Sequence, residues 1–317
     1  MQLFTPVALP PAPFRLTPVS RVLTLGSCFA QHIGQHIAAA LPDGHALVNP
    51  FGPLYAPQVI AHHLRLLLDT APLPDATYFE GVEGMWHNRW FSTHVSSAEL
   101  ATCRRLTTDA LSAARDLLRR ADVLVLTLGT DRCYRLPDGR LVANCHKQPA
   151  VTFTEHAADV ETLTSDLRRA LDSLRALRPE LQVVWTVSPY RYAKYGLHAS
   201  QLAKARLLLA VDALCATDER SVYFPAYELL LDELRDYRYY ARDLLHPSDT
   251  AVELIGERFA DWCFAPALHT FARERARLLR AHQHRPLHPE SDAHRAFRAK
   301  LRHEAELFKA KWGFSPF

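Results

Sequence analysis

Short unbroken apolar runs recur along the chain, each separated from the next by a longer stretch whose apolar side chains repeat at helical spacing. Arg-Val-Leu-Thr-Leu at 21–25, Asp-Val-Leu-Val-Leu-Thr-Leu-Gly at 122–129, Gln-Val-Val-Trp-Thr-Val-Ser-Pro at 182–189 and Ser-Val-Tyr-Phe at 221–224 read as buried strands. Continuous β-branched and leucine runs of this kind suit parallel strands covered on both faces. From Phe29 the pattern turns helical, with Phe29, Ile33, Ile37 and Leu41 on one side. Helices are predicted over 57–69, where Val59, His62, His63, Leu66 and Leu67 share a side, and over 97–120, 156–178 and 198–217. Pro-Asp-Gly at 137–139 predicts a hairpin turn between Arg-Cys-Tyr-Arg-Leu and Arg-Leu-Val-Ala-Asn-Cys. The loop at 46–57 is rich in turn residues, and residues 70–96 read as an irregular aromatic excursion over the core.

Strands that alternate with helices predict an α/β three-layer sandwich: a mostly parallel sheet with helices on both faces. Chemistry in such sheets gathers in the crevice beyond the carboxyl ends of the strands. Three loops meet that condition: Gly-Ser-Cys-Phe after the first strand, Leu-Gly-Thr-Asp-Arg-Cys after the second, and Thr-Val-Ser-Pro-Tyr-Arg after the third. The α/β domain is expected over 1–264, followed by a helical extension over 265–317 that breaks near Pro286 and Pro289. In its second helix Phe297, Leu301, Phe308 and Trp312 fall near one stripe.

The composition narrows the classes. Of 317 residues 48% are apolar and 22% charged, enough for a packed core. No run reaches the roughly eighteen apolar residues of a membrane helix. The amino-terminal twenty residues lack a basic region followed by an apolar core, so no secretory signal is expected. Six cysteines at 28, 103, 133, 145, 215 and 263 form no Cys-x-x-Cys pair, which fits reduced thiols in a cytoplasm. The net charge of +3 is uneven, because 265–317 carries eleven Lys/Arg against five Asp/Glu. That tail is expected to be a solvated helical face docked on its own domain, with nucleic acid an unlikely partner. Glycine-rich phosphate loops are absent, so no nucleotide cofactor is expected. Cys28, Cys145, His146 and His246 offer no familiar zinc spacing, so no metal is expected either.

Two stretches carry chemistry. Gly26 permits a tight turn between the first strand and the helix after it, which sets Ser27 and Cys28 beside the free amides of a helix amino terminus. That place favours a thiolate or an oxyanion. The plainer alternative makes Ser27 an N-cap and Cys28 a small buried hydrophobe. In the second stretch Asp243 and His246 stand three apart, just before Pro247. Such a turn can place the carboxylate on one imidazole nitrogen and leave the other to take a proton from a nucleophile. A turn-capping aspartate beside an exposed histidine is the alternative.

The Gly-Ser-Cys-Phe-Ala stretch resembles the block that names the GSCFA family, a group similar to the SGNH (GDSL-type) hydrolases. The resemblance runs from about 21 to 262 through Asn-Pro-Phe-Gly-Pro-Leu-Tyr at 49–55, Leu-Thr-Leu-Gly-Thr-Asp-Arg-Cys-Tyr at 126–134 and Asn-Cys-His-Lys-Gln-Pro at 144–149. It continues through Thr-Val-Ser-Pro-Tyr-Arg at 186–191, Ser-Gln-Leu-Ala-Lys-Ala-Arg-Leu-Leu at 200–208 and the segment 223–248. It implies a flavodoxin-like fold of the SGNH type. Aligned on the SGNH Gly-Asp-Ser block, Gly26 takes the glycine, Ser27 the aspartate and Cys28 the nucleophile, with Ser27 as the other candidate. The resemblance further implies Asp243 and His246 as the catalytic pair and Gly52 as an oxyanion-hole amide. The asparagine of the third block is missing from Leu-Gly-Thr-Asp-Arg, so Gly129, Thr130, Asn49, Asn144 and His146 are candidates to replace it. The implied activity is hydrolysis or transfer of an acyl group through a covalent acyl-enzyme, on a small-molecule ester or an acylated carbohydrate, whose sugar face Trp86 and Trp90 could stack. Two other classes stand beside it: a non-catalytic module whose basic tail recruits an acidic partner, and an interaction protein that pairs through the Phe297–Trp312 stripe.

Overall fold

Three of the four predicted strands, 22–26, 123–128 and 182–187, form the centre of one sheet because their side chains have apolar partners on both faces, and the fourth, 221–223, lies at its edge. The computed structural model of the chain describes residues 5–317, so the first four residues of the amino-terminal stretch lie outside it. In chain order the elements are β1 (Val22–Gly26), α1 (Cys28–Ala40), β2 (Ala46–Val48), α2 (Pro57–Leu68), β3 (Tyr78–Glu80), β4 (Trp86–Asn88), α3 (Leu100–Leu118) and β5 (Val123–Leu128). They continue as β6 (Arg132–Arg135), β7 (Leu141–Val142), β8 (Thr154–Ala157), α4 (Val160–Leu177), β9 (Gln182–Val187), α5 (Leu197–Cys215) and β10 (Ser221–Tyr223). Last come α6 (Ala226–Glu228), α7 (Asp249–Cys263), α8 (Pro266–Gln283) and α9 (Asp292–Trp312).

The main sheet is parallel with strand order β10-β9-β5-β1-β2. Numbered by their sequence among these five, the strands run 2-1-3-4-5, the flavodoxin-like doubly wound order. Its topological switch lies between β1 and β5, where the chain leaves the sheet in opposite directions. Alternate residues of β5 point into different layers. Leu124, Leu126 and Leu128 pack with α2, α3, α4 and α5, whereas Val123 and Val125 pack with α1, α7, α8 and α9. Each such fully buried aliphatic side chain contributes about 1.5–3 kcal/mol relative to exposure. The result is a three-layer α/β fold, as the alternation predicts.

The extension beyond 264 is bound into one of these layers. Leu268, Phe271 and Leu278 of α8 are buried, as are Leu301 and Phe308 of α9. The Arg275 side chain, 4% exposed, donates to the carbonyl of Leu41 at 3.0 Å and pairs with Asp43. Trp312 donates its indole N–H to Glu274 at 2.8 Å, and Phe297 stays partly exposed. The break falls between Gln283 and Asp292, where Ser291 caps α9 by accepting from the His294 amide.

Three strand features depart from the predicted pattern. Residues 46–48 add an edge strand beside β1, and the aromatic excursion holds the β3–β4 hairpin. β8 pairs with β6 as a third strand beside the predicted hairpin, so the helix after it begins at Val160, where Asp159 accepts from the Thr162 amide. β2, β3 and β8 have three or four residues each, with no wholly buried run, so their pairing comes from backbone neighbours rather than apolar pattern. Among the described residues no helix is long and apolar enough to cross a membrane.

Candidate functional site

Cys28 takes the first position of α1, directly after the β1 turn. The turn is forced tight. Gly26 has φ +145°, and the Ser27 amide donates to the Thr127 carbonyl on β5 at 3.0 Å. Ser27 is 1% exposed, and its hydroxyl neither caps α1 nor finds another partner among the described residues. Cys28 is half-buried and lines a cavity of about 470 Å³ with His32, Asn49, Gly52 and His94. Of the two potential nucleophiles only the thiol opens onto this cavity. Burial pushes the Cys28 thiol above its ordinary pKa, while the amides of Cys28 and Phe29 and the Lys204 ammonium pull it back.

The Asp243–His246 turn closes on itself in the way the spacing predicts. The Asp243 carboxylate accepts the amides of Leu245 at 2.9 Å and His246 at 3.0 Å, and its other oxygen lies 2.5 Å from His246 Nδ1. These bonds hold the carboxyl down to about 2. Leu244 takes a left-handed φ of +58°, which carries the chain back over the carboxylate. The Tyr190 ring lies on the His246 imidazole with centroids 4.3 Å apart. Burial raises the Tyr190 phenol, and the charges of both Asp243 and Cys28 add to that rise. Tyr190 thus stands in the electrostatic neighbourhood of both halves of the site. The Arg191 amide, donating to Leu245 O at 3.0 Å, ties its loop to the turn.

These halves lie at the carboxyl edge where β1, β5 and β9 end, and the sequence joins them to one lineage. The profile of the GSCFA family matches residues 21–259, from the entry to β1 through most of α7. The chain belongs to the GSCFA family. No curated protein matches it.

In this GSCFA protein the remaining candidates separate. Asn49 lines the Cys28 cavity with a left-handed φ of +42°, and its side-chain amide donates to the Ser27 carbonyl at 3.2 Å. One N–H of that amide is left over, and the amide oxygen is buried without a partner among the described residues. Gly52 lines the same cavity, but its amide donates to the Asn49 carbonyl at 2.8 Å, which corrects the expectation that it serves an oxyanion. Ser92 lies where a Gly52 side chain would stand, 1.8 Å from an ideal Cβ, so the glycine is there for close approach. The amides of Gly129 and Thr130 both donate to the Tyr55 carbonyl, at 2.8 and 3.2 Å. Thr130 opens instead onto a separate cleft with Tyr55, Arg132 and Tyr192. Asn144 and His146 do not line the Cys28 cavity. Asn144 accepts the His146 amide at 2.8 Å, and the His146 ring packs 4.5 Å from that of His87, beside another small cavity. Trp90 packs on His62 with centroids 4.4 Å apart, so it covers core rather than offering a free sugar platform.

Several residues of this edge were passed over. His32 stands one helical turn after Cys28, a Cys-x-x-x-His spacing visible in the sequence; burial lowers its pKa, Asp249 opposes that, and His246 adds to it. His94 reaches the cavity from the aromatic excursion, with Nδ1 3.1 Å from the Ser92 hydroxyl. Tyr55, pushed up to about 12 by burial with Cys28 and Tyr190 adding, and Lys204 lie within the family-like segments 49–55 and 200–208. Among the described residues no group of three or more His, Cys, Asp or Glu side chains could hold a metal ion.

Proposed function

We propose that this GSCFA protein is an SGNH-like hydrolase or transferase of acyl esters or thioesters, working through a thioester on Cys28. The supporting observation is a half-buried thiol at the first turn of α1, on a cavity shared with Asn49, together with an Asp243-oriented His246 that packs on Tyr190, whose phenol feels the charges of both Cys28 and Asp243. His246 takes the thiol proton on Nε2 while Asp243 holds Nδ1–H. The Cys28 sulfur then bonds to the acyl carbon, and the carbonyl π pair moves onto oxygen. The Cys28 amide and the remaining N–H of Asn49 stabilise that oxyanion. When the tetrahedral intermediate collapses, the C–O or C–S bond to the leaving group breaks and the leaving group takes its proton from His246. Water or an acceptor hydroxyl, deprotonated by His246, then attacks the thioester and frees Cys28. A thioester keeps its acyl group suited to transfer, so an acylated carbohydrate fits as donor or acceptor.

The burial that raises the Cys28 thiol favours a second class, a binding module in which the cysteine is inert. Stopped-flow release of nitrophenol from nitrophenyl acetate separates the two. Acyl-enzyme chemistry gives a burst stoichiometric with protein that vanishes in Cys28→Ala. Absence of both burst and turnover in the folded native chain assigns the protein to the binding class.

A further inference from the structure

Lys204 lies on the buried face of α5 with Ser200, Ala203 and Leu207, and is only 2% exposed. Its ammonium donates to the Gly129 carbonyl at 2.6 Å. Among the described residues no carboxylate comes within ion-pair distance of it. The acid whose charge it feels, Asp131, is held by Arg206 at 2.6 Å and faces Arg132 at 3.9 Å. A lysine side chain that needed only to fill space here would carry no charge, since an unpaired buried cation is strongly unfavourable. The ammonium also feels the Cys28 thiol, which follows β1 two residues after Gly26, as Gly129 follows β5 two residues after the Thr127 that pairs with Gly26.

We propose that Lys204 is a positioning residue that serves as the internal counter-charge of the Cys28 site. It balances the negative charge on the free sulfur and then the charge that moves to the acyl oxygen. The hydrogen bond to Gly129 fixes the ammonium just past the end of β5, beside the end of β1 from which Cys28 follows, and Lys204 does not itself line the Cys28 cavity. The attraction is mutual. Burial lowers the Lys204 ammonium to about 7 and raises the thiol, so each alone is poorly charged, and each charge favours the other. The other acids of this edge are not partners of Lys204: Asp243 is committed to the exposed His246 ring. Tyr55, Tyr190 and Tyr192 are phenols that burial keeps protonated, and Asp131 is already paired. The inference rests on Cys28 as the nucleophile, but its test does not depend on turnover.

The experiment is the pH dependence of Cys28 alkylation by iodoacetamide, followed by peptide mass, in the native chain and in Lys204→Met. Thermal melting checks that the variant is folded. The pairing predicts a midpoint about one pH unit higher in the variant and alkylation about tenfold slower at pH 7. A folded variant with an unchanged profile overturns it. A second measurement avoids altering the lysine: the 13Cε resonance of Lys204 is titrated in the native chain and in Cys28→Ala. The pairing predicts a lower Lys204 midpoint in Cys28→Ala, and identical midpoints overturn it. A shifted alkylation profile without any acyl adduct supports the pairing and removes the acyl chemistry. An adduct with an unshifted profile does the reverse.

Discussion

Replacing Gly26 by alanine would place a methyl carbon 2.3 Å from the Thr127 carbonyl oxygen and 2.7 Å from its nitrogen, on backbone that has no rotamer to yield. The φ of +145° adds strain that an L side chain rarely tolerates, about 1–3 kcal/mol by itself. Separating β1 from β5 at this point also weakens the bond from the Ser27 amide to Thr127 O. Together the loss is about 3–5 kcal/mol, at the upper end of single substitutions. Gly44 is a control: it too has a left-handed φ, +76°, but nothing lies within 4 Å of its Cβ position. Gly44→Ala therefore costs about 1 kcal/mol, from backbone strain alone. With about 2.1 cal/mol/K of unfolding entropy per residue, a chain of this length loses about 1.5 °C of Tm per kcal/mol. Calorimetry should show Gly26→Ala melting about 5–8 °C below the native chain and Gly44→Ala about 1–2 °C below. Equal shifts for the two would refute the idea that close approach of β1 and β5 sets the position of Cys28.

Other outcomes follow from the same geometry. Burial holds His62 down to about 3 and His146 down to about 4, against 6.5 when exposed. Between those limits the unfolded chain binds protons that the native chain does not, so stability rises with pH there. The urea midpoint should fall steadily on acidification below pH 6.5, and a flat profile down to pH 4.5 would contradict the burial of these rings. The Asp243 bonds add stability that is complete above the unfolded carboxyl value of 3.8 and is lost as pH falls through about 2. Asn49→Ala, which removes the side-chain donor beside Cys28, should lower acyl turnover about 10²–10³-fold while the cavity cysteine still alkylates. Truncation after Phe264 uncovers the α1 face that packs with Leu268, Phe271 and Leu278. The truncated chain should melt well below the native one; an unchanged Tm would show that α8 and α9 add nothing to the core.

Legibility tracked burial. The runs of β1, β5 and β9 were readable because nearly every residue in them is buried, which leaves an uninterrupted apolar signature. Thr-Glu-His-Ala of β8 lies at the surface and carries no such mark; only its pairing with β6 makes it a strand. At the site, Asp243 and His246 were legible from spacing, since a three-residue turn brings carboxylate and imidazole together without help from the rest of the fold. Gly52 misled because a glycine beside the nucleophile can be present for its amide or for its lack of a side chain, and here Ser92 occupies the Cβ position. Lys204 was invisible because a lysine in an amphipathic helix ordinarily reaches water. Only the packing of α5 against the end of β5 shows that this one does not.

The central claim, that Cys28 accepts an acyl group with His246 as its base, is tested most directly by intact mass after brief exposure to an activated acetyl ester, with peptide mapping of the adduct. The expected result is one acetyl group on Cys28 in the native chain and loss of that label in His246→Ala. Acetylation of Ser27 would keep the chemistry and contradict the assignment. Label on Cys28 that persists in His246→Ala would reduce it to the background reactivity of an exposed thiol.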